Sequence, residues 1–192
     1  LLPKYRGAAP IQWALINGEK ETGVTTFFLE EKVDTGNIIL QEKIEIEDED
    51  NYGTLHDKLM ILGADVVLKT VELINSGNYE LIKQDDSLAS PAPKITKEIC
   101  KIDWSKSAIE IHNLVRGLSP HPCAFFEHKG KIYKVYKTKV VENISLEQSK
   151  IYQTKKEIFV GTPSGAIQIL ELQLEGRKRM SAEEFLRGYS LL

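Results

Sequence analysis

The chain has 192 residues, 42% of them hydrophobic and 28% charged, with a formal net charge of −3, enough apolar material for one large or two small domains without disulfide staples. No apolar run approaches the ~20 residues that span a bilayer, and no charged-then-apolar leader opens the sequence, so neither a membrane helix nor a secretion signal is read in it. Cys100 and Cys123 are too few and too far apart for a disulfide framework or a zinc-ligand pattern, which suits a reducing cytoplasm.

The charge is divided unevenly. Residues 1–90 carry 8 Lys or Arg against 17 Asp or Glu, a balance of −9, whereas residues 91–192 carry 17 against 11, a balance of +6. A basic half of this kind points to a polyanionic partner.

The segment from Leu1 to Ala9 reads as an irregular, Pro-punctuated loop, followed by an apolar helix from Pro10 to about Asn17 that Gly18 stops. A β-rich run from Val24 to Leu29 comes next, then the loop Val33-Asp34-Thr35-Gly36-Asn37, a carboxylate beside a permissive glycine. Ile38 to Ile46 reads as a second strand, and the acidic run Glu47 to Asp50 as a solvated turn. The strongest helix follows, with Leu55, Leu59, Leu62, Val66, Val71 and Ile74 at near-helical spacing, Gly77 as its stop and His56 exposed in its first turn. Between Gln84 and Lys97 the composition changes to Asp, Ser, Ala and Pro, which predicts domains at 1–84 and 98–192 joined by a linker at 85–97.

Beyond the linker, Ser107 and Glu110 form a capping box for a helix with Ala108, Ile111, Val115 and Leu118 on one face. A Lys129-Gly130 turn joins two strand-like runs, and a second hairpin turns about Pro163-Ser164-Gly165. In the last strand the apolar phase switches from Ile167 and Ile169 to Leu170, Leu172 and Leu174, which predicts a bulge near 169–170. Ser181 and Glu184 cap a closing short helix carrying Phe185 and Leu186. Short strands closed by helices suggest a small barrel of the oligonucleotide-binding type.

Asp34, in a loop at a strand end, lies where ligands of open α/β sheets bind, although Asp-Thr-Gly alone also suits an ordinary Asx turn. Four blocks give it context: Leu1-Leu2-Pro3, Arg6-Gly7-Ala8-Ala9-Pro10-Ile11-Gln12, Glu21-Thr22-Gly23-Val24-Thr25 and Val33-Asp34-Thr35-Gly36. In order and approximate spacing they resemble the folate-dependent formyltransferases, and most closely those members that act on methionyl-tRNA. Lys101-Ile102-Asp103-Trp104-Ser105, Arg116 to Pro122 and Gly176 to Ser181 extend the resemblance over nearly the whole chain.

The resemblance implies an α/β fold, the C-terminal part of a Rossmann-like formyltransferase domain followed by an OB-like β-barrel domain that contacts the acceptor arm of initiator tRNA. It implies a soluble, cytoplasmic monomer that moves a formyl group from 10-formyltetrahydrofolate, without a metal, to the methionyl amine of that tRNA. Such a transfer needs a nucleophilic amine, a holder for the developing oxyanion and a proton route to the leaving nitrogen. Asp34 is then the catalytic aspartate, Leu1, Leu2 and Pro3 lie against the folate, and the Val33 and Asp34 backbone lines the pterin pocket. The family's catalytic Asn and His are expected just before Leu1, so the 192 residues by themselves are expected to be inactive. Read without the resemblance, Leu1 and Leu2 also suit core positions, and Arg6 a surface cation or a partner for Asp34.

Lys94, Lys97 and Lys101, with Arg177, Lys178 and Arg179, form the candidate tRNA surface, supplemented by Lys129, Lys131, Lys134 and Lys137 on the first hairpin. Cations in this number engage phosphates rather than bases, while Tyr133 and Tyr136 are candidates for stacking or for packing. His112, His121 and His128 have no catalytic role in this reading. A nucleotide-sugar N-formyltransferase, a 10-formyltetrahydrofolate hydrolase and a non-catalytic RNA-binding module remain as alternatives.

Overall fold

A computed structural model describes residues 1–192 and divides them into two units, Leu1–Ala14 with Glu19–Ile95 and Leu15–Gly18 with Thr96–Leu192. In chain order the first stretch contains β1 (Arg6–Gly7), α1 (Pro10–Ile16), β2 (Glu21–Phe27), β3 (Ile38–Glu45), α2 (Tyr52–Ser76), a 3-10 turn (Asp86–Leu88) and β4 (Pro91–Ala92). Pro10 opens α1, at the helical position where a missing N–H goes unnoticed.

β2 and β3 pair antiparallel from Glu21↔Glu45 to Phe27↔Ile38. The 25 residues of α2 pack on this pair. A reciprocal cap starts the helix: Asn51 Oδ1 accepts from the Thr54 N–H at 3.1 Å, and Thr54 Oγ1 accepts from the Asn51 N–H at 3.0 Å. A left-handed Gly77 ends it. The residues it buries are Leu55, Leu59, Val66 and Thr70, so the stripe continues past Val66 through Thr70 rather than through Val71 and Ile74, which are 49% and 39% exposed. The Thr70 hydroxyl is accommodated by the Val66 carbonyl at 2.7 Å and the Thr26 hydroxyl at 2.8 Å.

The two-residue parallel pair β1–β4, Arg6↔Pro91 and Gly7↔Ala92, brings the chain after α2 back beside the amino-terminal loop. Trp13, midway along α1, donates its indole N–H to the Pro93 carbonyl at 2.7 Å.

The second unit carries α3 (Lys97–Cys100), α4 (Ala108–Leu118), β5 (Ala124–His128), β6 (Lys131–Val141), β7 (Ile151–Gln153), β8 (Ile158–Gly161), β9 (Ala166–Leu174), β10 (Met180–Ser181) and α5 (Ala182–Leu186). Its antiparallel sheet runs β5-β6-β9-β8-β7, with β10 added on β9. The order is an open path with β5 and β7 at its edges rather than a ring closed by ladder pairs. Lys129 and Gly130, both at positive φ, make the tight β5–β6 turn. In β9 the burial changes phase between Ile169 and Leu172, where the pairing with β6 skips Leu170 and Tyr136, the irregularity that the apolar pattern predicts.

α4 buries Ala108, Ile111, Val115 and Leu118 against β6 and β9. An aromatic series crosses the core, Trp104 edge-on to Phe126, Phe126 stacked on Tyr133 at 5.1 Å between centroids, Tyr133 edge-on to Phe185, and Phe185 stacked on Tyr189. Tyr133 is therefore a packing residue. His112 and His128 are held inside the unit, by Thr138 Oγ1 at 2.9 Å and by the Leu191 carbonyl at 2.7 Å.

Candidate active site

The loop between β2 and β3, residues 28–37, is built around two backbone constraints. Gly36 passes so close to the Phe28 carbonyl that a Cβ would stand 1.7 Å from its oxygen, leaving room for glycine alone. Two residues earlier Asp34 adopts a left-handed backbone, φ 56°, which is uncommon outside glycine and tolerated best by Asp and Asn. Asp34 Oδ2 accepts the Gly7 N–H at 2.8 Å. Gly7 itself has φ 133°, with the Ala92 carbonyl oxygen 2.6 Å from where a Cβ would be, so the donor's position is fixed by the β1–β4 pairing.

These parts border a cavity of about 230 Å³ lined by Leu1, Leu2, Lys4, Tyr5, Gly7, Pro10, Gly23, Thr25, Phe27 and Asp34. Gln41 Nε2 holds the Leu2 carbonyl at 2.8 Å and the Thr25 hydroxyl at 3.0 Å. The result is a mostly apolar slot with a single carboxylate on its wall, one oxygen of which is bound to a backbone N–H. Such a group can orient an imidazole, or hold a proton at its second oxygen, inside a site that takes a flat apolar ligand.

The structure thus brings Leu1, Leu2 and Asp34 together. It leaves Pro3 and Val33 off the cavity wall: Val33 is 73% exposed, on the charged Glu30-Glu31-Lys32 side of the left-handed turn. Lys4, Tyr5 and Phe27, which no motif marks, line the slot beside Thr25, the last residue of the Glu21–Thr25 block. Arg6 pairs with Asp86 at 2.8 Å rather than with Asp34. A larger hollow of about 810 Å³ in the second unit includes Lys101, Asp103 and Glu110, but its acids are already engaged. Asp103 accepts the Ser105 N–H, and Glu110 closes the cap of α4. The thiols offer no nucleophile, since both are buried and burial pushes Cys123 up to about 11, leaving it protonated near neutrality.

The family profile described as formyl transferase, C-terminal domain, matches residues 94–190, and that described as formyl transferase matches residues 1–71. The chain belongs to the formyl transferase family. Curated relatives named methionyl-tRNA formyltransferase include those of Chlorobium limicola, 51% identical over 98% of this chain and 61% of theirs, and Flavobacterium johnsoniae, 50% identical over 98% and 62%. The chain spans about six tenths of the length of these curated relatives. Among solved structures, the Helicobacter canadensis N-formyltransferase in complex with folinic acid and dTDP-3-aminofucose matches with a TM-score of 0.72 at 24% identity, over 93% of this chain and 63% of that one. It shares the fold.

In this member of the formyl transferase family the basic residues fall in both units. Lys94 belongs to the first, and Lys97, Lys101, Arg177, Lys178 and Arg179 to the second. All six are exposed. Three have partners: Lys101 faces Glu127 at 3.5 Å, Arg177 lies over the Tyr189 ring at 6.0 Å, and Arg179 is paired with Glu171 through Nε and Nη2 while stacked over the Tyr136 ring at 4.4 Å. Arg179 is thereby the least available of the set to a phosphate, because a guanidinium already bound to a carboxylate must release it first.

Proposed function

We propose that the protein moves a formyl group from 10-formyltetrahydrofolate to the amine of methionine on initiator tRNA, with Asp34 as its catalytic aspartate. The observation that carries this reading is the half-identical match, over 98% of the chain, to relatives named methionyl-tRNA formyltransferase. The slot adds chemical support. Leu1, Leu2 and Phe27 provide apolar walls for a pteridine, and Asp34 provides the one carboxylate beside them. The first unit is then the C-terminal part of a Rossmann-like catalytic domain, residues 85–97 a linker, and the second an OB-like tRNA-binding domain. Its exposed Lys97, Lys101, Arg177 and Lys178, with Lys94 before them, engage phosphates of the acceptor arm. The protein acts as a monomer in the cytoplasm.

In this mechanism the carboxylate of Asp34 orients an imidazole that serves as the proton route between attacking amine and leaving nitrogen. The test is an assay of the full-length protein with charged initiator tRNA and a sugar-nucleotide amine as competing acceptors. Asp34→Asn should lower kcat by about a hundredfold or more, the range of a positioned acid–base group, with tRNA affinity unchanged. A variant at full rate removes Asp34 from the mechanism. Preference for the sugar amine would give the chain to the nucleotide-sugar branch of the family.

A further inference from the structure

We propose that Gln84 is a positioning residue for Asp34, holding the β2–β3 loop in the conformation that the reaction uses. This rests on the reading of Asp34 given above. Gln84 is polar, 7% exposed and carries no recognisable motif, yet every hydrogen-bonding capacity of its amide is spent. Nε2 donates to the Asp34 carbonyl at 2.9 Å and to the Gly36 carbonyl at 2.8 Å. Oε1 accepts from Arg6 Nε at 3.2 Å and Nη2 at 2.8 Å. A primary amide has two N–H donors and two lone pairs, so the side chain is saturated. Its orientation is fixed too, because the two carbonyls need the nitrogen and the guanidinium needs the oxygen.

The two segments that it joins, around Arg6 and around Asp34, are remote in sequence, and each contributes residues to the slot wall. Arg6 precedes Gly7, whose N–H holds Asp34 Oδ2, while Asp34 and Gly36 bracket the left-handed turn. A non-glycine residue at φ 56° persists only where its surroundings over-determine it, and Gln84 provides that restraint from the main-chain side while Gly7 provides it from the side chain. Arg6 Nη2 is also paired with Asp86 at 2.8 Å, and Ile82 is bonded to Ile38 through both backbone groups at 2.9 Å, so the clamp is mounted on paired backbone. Loss of the amide frees the Asp34 carbonyl and lets the carboxylate drift. A displacement of about 1 Å at a reacting group costs on the order of a hundredfold in rate.

The experiment is a double-mutant cycle in the full-length protein, Gln84→Met and Gln84→Glu each alone and combined with Asp34→Asn, with kcat, the KM for charged tRNA and thermal melting followed. Met keeps the volume without the bonds, and Glu keeps the Arg6 pair but turns a carboxylate toward two carbonyl oxygens. The expected result is a roughly ten- to hundredfold fall in kcat, an unchanged KM for tRNA, and no additional fall once Asp34 is Asn. Full kcat in Gln84→Met overturns the proposal, as does an equal loss on top of Asp34→Asn, which would mean that Gln84 acts on the fold rather than through Asp34. If Gln84→Met loses its cooperative melt, Gln84→Glu carries the same comparison. Asp34→Asn at full rate defeats the reading of Asp34 and the clamp together, whereas a slow Asp34→Asn beside a fast Gln84→Met defeats the clamp alone.

Discussion

Asp50 shows how a single side chain departs from what its neighbours suggest. The run Glu47 to Asp50 reads as a solvated acidic turn, yet the Asp50 carboxylate is 4% exposed. It accepts the Glu47 N–H at 2.9 Å, the Thr54 hydroxyl at 3.0 Å and the Lys58 ammonium at 2.9 Å. Burial drives its pKa upward, but these donors outweigh burial and hold the carboxyl below its ordinary range. A carboxyl lowered by folding contributes stability that is complete above the unfolded value and is lost as the pH falls through the folded one. Asp50→Asn should therefore melt below the parent at pH 7, by roughly 1.5–3 kcal/mol for the charge-assisted bonds, and the gap should narrow as the pH falls toward the ordinary carboxyl range and continue to narrow below it. A gap independent of pH in calorimetry would assign the loss to packing. Asp34 and Gln84 make the complementary point about legibility. Asp34 stands in a block that sequence comparison can find, whereas Gln84 has partners 50 and 78 residues away, and a lone glutamine in a polar stretch carries no local sign of them.

At the scale of elements, the caps of α4 and α5 and the apolar face of α4 were legible, and the face of α2 only in part. Helix starts depend on residues three apart, so Ser107 with Glu110 and Ser181 with Glu184 announce α4 and α5. The faces of α2 are harder because the helix carries two apolar stripes. One is buried through Leu55, Leu59 and Val66, and the other is exposed through Met60, Val67, Val71 and Ile74. Both repeat every three or four residues, so periodicity merges them and only the position of β2 and β3 separates them. The reciprocal cap supplies a direct check on α2. Asn51→Ala should cost about 1 kcal/mol and Thr54→Ala a comparable amount, with the double variant losing less than the sum because each residue satisfies the other's backbone. Strict additivity in chemical denaturation would contradict the shared cap.

For the molecule as a whole, the uneven charge is the feature that sequence declares most plainly and the fold explains least. Charge is a property of exposed side chains, and Lys94, Lys97, Lys101, Arg177 and Lys178 are exposed whatever the core does. If they meet phosphates, Lys94→Ala with Lys97→Ala should weaken tRNA binding and make the slope of log K against log salt shallower by roughly 1.5, close to the counterions released by two contacts. An unaltered slope would move the nucleic-acid surface elsewhere. The placement of the tryptophans has a practical corollary. Trp13 is tied to Pro93 in the first unit and Trp104 leans on Phe126 in the second, so each half of the polypeptide contains one tryptophan. Replacing either indole with Phe leaves, under excitation selective for tryptophan, emission from the other alone, which lets the melting of the slot-bearing half be watched separately from that of the basic half, without any attached label.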